Sequence, residues 1–281
     1  MSQTIRITVL VENSVHRQGL VAEHGLSFHV QCPEHSLLFD TGQTDLAVIN
    51  GETLQLPLDQ VEAIVLSHGH YDHVGGVPAM LDVAPAARVY LHPAAFTKKF
   101  SQNTDGQSRS IGMSDCVAQA IRHHSGGRID IAGRTEIVDG VFATGEIPRM
   151  TTYEDTGGAF FLDAACTRPD PITDDQALVI DLGRSVVLLL GCAHSGVVNT
   201  LDHVQHLTGG KPVSAVIGGL HLGSASEERI QQTIARLRDA HLEMLTPAHC
   251  TGCRAAATLW QAFPDICRPA GVGSVFEFKR D

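Results

Sequence analysis

The sequence predicts an α/β chain in which a sandwich of β-sheets is covered by helices. Short β-branched runs alternate with helix-length amphipathic segments through both halves of the chain. Hydrophobic residues make up 43% of the 281 residues and charged residues 18%, enough apolar side chain for a large core. Four apolar runs, VEAIVLSH, VVLLLGCAH, VSAVIGGLH and LEMLTPAH, end in His68, His194, His221 and His249. If these strands lie side by side in one sheet, their C-terminal ends gather four histidines along one edge, where layered α/β folds bind ligands.

The elements follow in order. Residues 5–11 and 26–30 read as strands, and 36–39 as a third that ends at Asp40-Thr41-Gly42. Residues 61–66 have the apolar pattern of a buried strand, 76–83 can run as a helix, and 88–91 is another short strand. Residues 101–115 are polar and turn-rich, the pattern of a mobile surface loop. Further on, 177–182 and 186–190 flank Gly183-Arg184-Ser185 as a hairpin would. A helix over 197–207 and a strand over 213–217 come next. The strongest helix covers 227–240, with Ile230, Ile234, Leu237 and Ala240 on one face and charges on the other. A strand over 242–245 and a helix over 255–263 complete the series. With no repeat, low-complexity tract or Pro/Ser linker, residues 1–281 are expected to form one domain.

Composition narrows the function. A formal net charge of -11 argues against a nucleic-acid partner, which would need a basic face. No apolar stretch has the length of a membrane span. The start, MSQTIRITVLVEN, lacks a basic segment followed by a long apolar block, so no signal peptide is expected. Seven cysteines, an odd number scattered along the chain, suit reduced thiols in a cytoplasmic protein. An anionic substrate would need local positive charge, which bound metal ions can supply.

The densest chemistry is SHGHYDHVGG at 67–76, which holds His68, His70, Asp72 and His73. Neutral imidazole suits zinc, iron and related ions, and carboxylate adds charge neutralisation. In His68-x-His70 an extended backbone points both side chains the same way. Asp72 and His73 follow the turn and can face a second centre; Asp72 can equally cap the next helix. One ion cannot use all these groups, whereas two ions about 3.5–4 Å apart could share them. Cys250 and Cys253, in HCTGC, lack a second C-x-x-C and are read as mostly structural. His16, His24, His29, His35, His92, His123, His124, His203, His206 and His241 are read as surface or packing residues.

The H-x-H-x-D-H of residues 68–73 resembles the metallo-β-lactamase superfamily. LLFDTG at 37–42, GCAHSGVVN at 191–199, GGLHL at 218–222 and PAHCTG at 247–252 make the likeness more specific. Together with ITVLVEN at 7–13 and GEIPR at 145–149, they look like the branch named after dihydropterin–ribofuranosylaminobenzene phosphate synthase. The resemblance implies an αββα sandwich with metals at one edge. It implies that His68, His70 and a later histidine hold one ion, and that Asp72, His73 and His249 hold the other. Asp40 would orient a ligand from behind, although it can also be a turn-forming residue before Gly42. Many relatives place a bridging Asp where this chain offers Cys192 and His194. His194 is taken as the ligand, with Cys192 as the alternate. His221 would be a ligand or a general acid, and it joins Asp72 as a catalytic candidate. Glu146 is expected either near the site or as a turn residue only.

What this implies is a dinuclear hydrolase in which metal-bound hydroxide attacks a phosphodiester or related phosphoester. The ions would be two zincs, with manganese or iron accepted, and the substrate a small phosphate-bearing molecule. The synthase itself, a lactone or thioester hydrolase and a mononuclear iron dioxygenase are the alternatives. Pocket walls are expected from residues 101–128 and 149–176, with Arg149, Tyr153 and Arg168 as anion-binding candidates.

Overall fold

Two β-sheets face each other in the computed structural model, which describes residues 4–103 and 106–281. The first half of the chain supplies β1 (Thr4–Val11), β2 (Ser27–Gln31), β3 (Ser36–Phe39), β4 (Ala63–Val65), β5 (Arg88–Leu91), β6 (Phe100–Gln102), β7 (Ser108–Ser110) and β8 (Arg128–Asp130). The second supplies β9 (Thr135–Val138), β10 (Val141–Ala143), β11 (Phe160–Phe161), β12 (Ala177–Asp181), β13 (Val186–Leu190), β14 (Val213–Gly219), β15 (Met244–Ala248) and β16 (Val275–Lys279). The helices are α1 (Leu46–Thr53), α2 (Tyr71–Val74), α3 (Val77–Val83), α4 (Asp115–His123), α5 (Val197–Leu207), α6 (Glu227–Asp239) and α7 (Cys253–Ala262). Among the described residues, one sheet runs β16-β1-β2-β3-β4-β5-β8 and the other β15-β14-β13-β12-β10-β9.

The apolar runs sort their side chains by the two-residue period of a strand. On β13, Val187 and Leu189 enter the core between the sheets, while Val186, Leu188 and Leu190 pack outward under α5, α6 and α7. On β4, Ala63 and Val65 face inward, while Ile64 packs outward with residues of α1, α3 and α4. Strands covered on both faces read as unbroken apolar runs, which is what made them legible. The result is the expected αββα sandwich. Helix α6 is set by its caps as well as its apolar face. Ser226 Oγ accepts from Arg229 N at 3.1 Å, and Glu227 and Glu228 occupy the first turn, where the helix dipole favours them. Burying each of Ile230, Ile234 and Leu237 contributes about 1.5–3 kcal/mol.

Three expectations need correction. The histidine-ended strands do not share one sheet: β4 belongs to the first sheet and β13, β14 and β15 to the second. Their carboxyl ends meet because β3-β4 and β13-β14-β15 are parallel sets whose ends reach the same edge of the sandwich. Residues 101–115 are not simply a loop. Strands β6 and β7 pair antiparallel from Phe100↔Ser110 to Gln102↔Ser108, and β11 adds to β6 to make a third, small sheet. Thr104 and Asp105 fall outside the described residues. Helices α1 and α4 have no counterpart in the sequence reading. In α4, Ser114 Oγ accepts from Val117 N at 3.3 Å, and Val117 and Ile121 are buried one turn apart.

Candidate metal centre

The carboxyl ends of β3, β4, β13, β14 and β15 deliver Asp40, His68, Cys192 with His194, His221 and His249 to one place. Four residues in these turns hold left-handed backbone: Asp40 (φ 61°), Ala193 (φ 50°), His221 (φ 48°) and His249 (φ 49°). Gly69 is required between the paired histidines, because a Cβ there would stand 2.8 Å from the Ala95 Cα.

Hydrogen bonds fix how the histidines present their rings. Asp40, fully buried, accepts from Ser67 N at 2.7 Å, from Ser67 Oγ at 2.7 Å and from His73 Nδ1 at 2.7 Å. With its hydrogen on Asp40, the Ser67 hydroxyl accepts from His68 Nδ1 at 2.9 Å. His194 Nδ1 donates to the Thr156 carbonyl at 2.8 Å, and His249 Nδ1 to Asn13 Oδ1 at 2.9 Å. Four Nδ1 atoms are thus committed to protein acceptors, and Nε2 is the atom that each of these rings presents to the other groups of the centre. His68 Nε2 lies 2.9 Å from His70 Nδ1, and His73 Nε2 lies 3.2 Å from Cys192 Sγ. Asp72 Oδ2 sits 3.3 Å from His249 Nε2 and 3.1 Å from His24 Nε2.

Burial sets most of the charge states. It pushes His70 down to about 3. Burial, with the charges of neighbouring histidines, also holds His68 and His194 well below the usual range, so these rings are neutral, the form that ligates. Burial works against the charged ring of His73 too, but the Asp40 and Asp72 carboxylates outweigh it and push His73 up to about 9. For Asp72, burial is overcome by His73, His24 and His249, which hold the carboxyl well below its ordinary value.

The segment 170–176 ties the two halves of the centre together. Asp174 Oδ2 accepts from Gly69 N at 2.7 Å, and Asp175 Oδ2 accepts from Ser195 N at 2.7 Å. Buried Lys99 donates to Asp174 at 2.7 Å and to Asp170 at 3.1 Å. Burial pushes Asp175 up to about 6.

The arrangement fits cations better than it fits packing. Among the described residues, His70 Nε2, His194 Nε2 and His221 Nδ1 are buried without a hydrogen-bond partner. Unsatisfied polar atoms of this kind cost about 1–3 kcal/mol each. Donor atoms of His68, Cys192 and His194 lie within 4.8 Å of one another, and so do those of His73, Cys192 and His249. Cys192 therefore stands between both sets. The centre opens on a cavity of about 150 Å³ whose walls include Tyr71, Arg109, Phe160, His221 and Cys250.

Residues 23–198 match the family model described as the metallo-beta-lactamase superfamily. The chain belongs to that superfamily. Its fold and its class, metal-dependent hydrolases, follow from this membership. The chain is similar to the 7,8-dihydropterin-6-methyl-4-(beta-D-ribofuranosyl)-aminobenzene-5'-phosphate synthase of Methanocaldococcus jannaschii. The two are 27% identical over 98% of this chain and 97% of that one. The solved structure of Tm1679, described as a metal-dependent hydrolase of the beta-lactamase superfamily, superposes with a TM-score of 0.83. It is 29% identical and is covered over 98% of this chain and 99% of its own. A diphosphatase of the PhnP family shares the fold at a TM-score of 0.55, with 12% identity and coverage of 100% of this chain and 99% of its own.

Within this family fold, His68, His70, Asp72, His73, Cys192, His194, His221 and His249 all come together. Asp40 accepts hydrogen bonds from His73 and Ser67 behind them. The anion candidates fare differently. Arg149 is spent on the carbonyls of His194, at 2.6 Å, and Pro171, at 2.7 Å. Tyr153 packs against the outer core, and neither Arg168 nor Glu146 lines the cavity. Cys250 faces the cavity while Cys253 is exposed, and the two are not bonded to each other. Sequence reasoning missed His24, which reaches Asp72 from the surface, and Arg109 and Phe160, which wall the cavity. Only the concentration of histidines hinted at the first, and nothing in the pattern marked the other two.

Proposed function

We propose that this chain is a dinuclear metal-dependent hydrolase of small phosphoesters, with residues 1–281 folded as one domain. The observation that carries this reading is the commitment of four histidine Nδ1 atoms to protein acceptors, which turns four Nε2 atoms toward one centre. His68, His70 and His194 hold one cation; Asp72, His73 and His249 hold the other. Cys192, kept above as the alternate ligand, would stand between them, its sulfur close to donor atoms of His68 and His194 on one side and of His73 and His249 on the other. Bound zinc, or manganese or iron in its place, supplies Lewis acidity and a water whose pKa is lowered to about 7.

The chain's own groups do the rest. Ser67 and Asp40 hold the rings of His68 and His73 in the ligating tautomer. Asp72 carries the one carboxylate that reaches the centre from the H-x-H-x-D-H turn, bringing negative charge beside the rings of His73 and His249. Arg109, stacked 5.6 Å over the Tyr71 ring, gives the cavity wall a fixed cation for a phosphate oxygen. The phosphate in the archaeal relative's name supports the substrate class.

The test is metal content followed by turnover. Protein purified without chelator should hold about two zinc or manganese ions per chain. It should hydrolyse phosphodiester or phosphomonoester probes, and His70→Ala should lose turnover with the fold retained. Unchanged turnover in that variant sinks the reading. The synthase activity of the archaeal relative is a second reading, favoured by an alignment along 98% of this chain. A joined product from a pterin and an aminobenzene ribosyl phosphate would establish it over hydrolysis.

A further inference from the structure

Cys250, like His221, faces the cavity and is left without a ligand role by the dinuclear reading. Strand β15 ends at Ala248, and a single tight turn over His249–Thr251 swings Cys250 back toward the ends of β13 and β14. Its thiol donates to the Cys192 carbonyl at 3.7 Å. The two sulfurs and a ring nitrogen of His221 lie within 4.8 Å of one another. His221 holds a left-handed backbone (φ 48°) that aims its ring at this spot, and its Nδ1 is buried without a partner among the described residues. A Cβ on Gly157 would collide with the His221 ring, so that glycine lets the chain close over it. A Cβ on Gly219 would stand 2.6 Å from Cys250 Sγ, so a second glycine clears the space for the thiol.

We propose that Cys192, His221 and Cys250 form a third, sulfur-rich cation position that takes a thiophilic divalent ion, zinc above all. Two thiolates and an imidazole are soft to borderline donors and discriminate against magnesium and calcium. Three protein ligands with a fourth position open to a cavity is the composition of a reactive zinc site, whereas purely structural sites are closed by four. The position rests on the dinuclear reading only in sharing Cys192 with it. His221 is then a ligand, the first of the two roles its sequence context offered.

Titration of the metal-stripped protein with cadmium, whose thiolate complexes absorb in the ultraviolet, counts the positions directly. The parent chain should bind about three equivalents, and the last should add its own sulfur-to-metal absorption. Cys250→Ala should bind about two and lose that final increment. Cys253→Ala, altered at an exposed thiol off the cavity, should match the parent. Elemental mass spectrometry of the zinc-loaded proteins should give the same counts. Two equivalents in the parent and in Cys250→Ala alike would overturn the third position and leave the dinuclear reading standing. No tight equivalents in the parent would bring down both. A Cys192–Cys250 disulfide that persists in the presence of a thiol reductant would overturn the proposal without any variant having to fold.

Discussion

Asp40→Asn is the substitution that tests the logic of the centre with least disturbance. Asp40 sits at φ 61°, and asparagine is among the few residues that tolerate that backbone. One amide oxygen can still accept from Ser67 N, now at 2.7 Å from Oδ1. The amide nitrogen then takes the place of Oδ2, which is 2.7 Å from both Ser67 Oγ and His73 Nδ1. An N–H facing another N–H is repulsive, so His73 moves its proton to Nε2 and accepts at Nδ1. Nε2 is the atom that lies 3.2 Å from Cys192 and faces the centre, and a protonated nitrogen cannot ligate. Loss of such an orienting partner typically weakens metal binding about 10–100-fold, which is about 1.4–2.8 kcal/mol. The fold itself should lose only about 1 kcal/mol, because a charge-assisted bond is exchanged for a neutral one. The assay is competition for zinc against a chromophoric chelator, with urea unfolding of the metal-free chain as control. Parent-like zinc affinity in a folded Asp40→Asn chain would refute the claim that Asp40 sets the His73 tautomer.

Other consequences follow from groups around the centre. Arg109→Ala should raise KM for a phosphoester about tenfold, the loss of one solvent-exposed contact to a charged group, and leave kcat within about twofold. A fall in kcat with unchanged KM would contradict a binding role. Lys99→Met strands the buried carboxylates of Asp170 and Asp174 and should cost about 3–5 kcal/mol in urea unfolding; a loss below about 1 kcal/mol would show that the triad carries no net coupling. His29 is fully buried on β2, and burial lowers it from 6.5 to about 4. Its unfolded form therefore binds a proton at higher pH than the folded form. The neutral ring's contribution of about 3 kcal/mol is present above pH 6.5 and is lost as pH falls through about 4. His29→Leu should flatten stability across that window, and an unchanged slope would assign the pH dependence elsewhere.

Legibility followed burial. Strands covered on both faces, such as β13 and β14, announced themselves as unbroken apolar runs, and α6 carried a clean 3.6-residue stripe with a serine cap. Elements with one weak face did not. Strands β6 and β7 are polar because they lie over the cavity mouth on the outside of the sandwich, and Ser108, Arg109 and Ser110 are all exposed. Helix α1 carries Gly51 where Leu58 packs against it, so no stripe was visible. The ligand candidates were legible because histidine and carboxylate at these spacings leave few other uses. Arg109 and Phe160 were not, because their place at the centre comes from the packing of a third sheet that no local pattern encodes.

The same contrast explains where the centre sits. A non-glycine residue in left-handed backbone costs about 1–2 kcal/mol, so four of them at Asp40, Ala193, His221 and His249 amount to several kcal/mol held at one edge. Each lies within three residues of the end of a strand whose inward residues are buried: Phe39 on β3, Leu189 on β13, Ile217 on β14 and Ala248 on β15. A strand pinned by its core face cannot unwind to relieve its last turn. The sandwich therefore supplies the rigidity that holds the strained turns and the candidate ligands they carry at one edge. Segment 170–176 completes the arrangement by bonding Gly69 from one sheet and Ser195 from the other, with Ile172 itself at φ 50°. The two sheets are tied together there, which is the condition for two sets of candidate ligands to stand around Cys192.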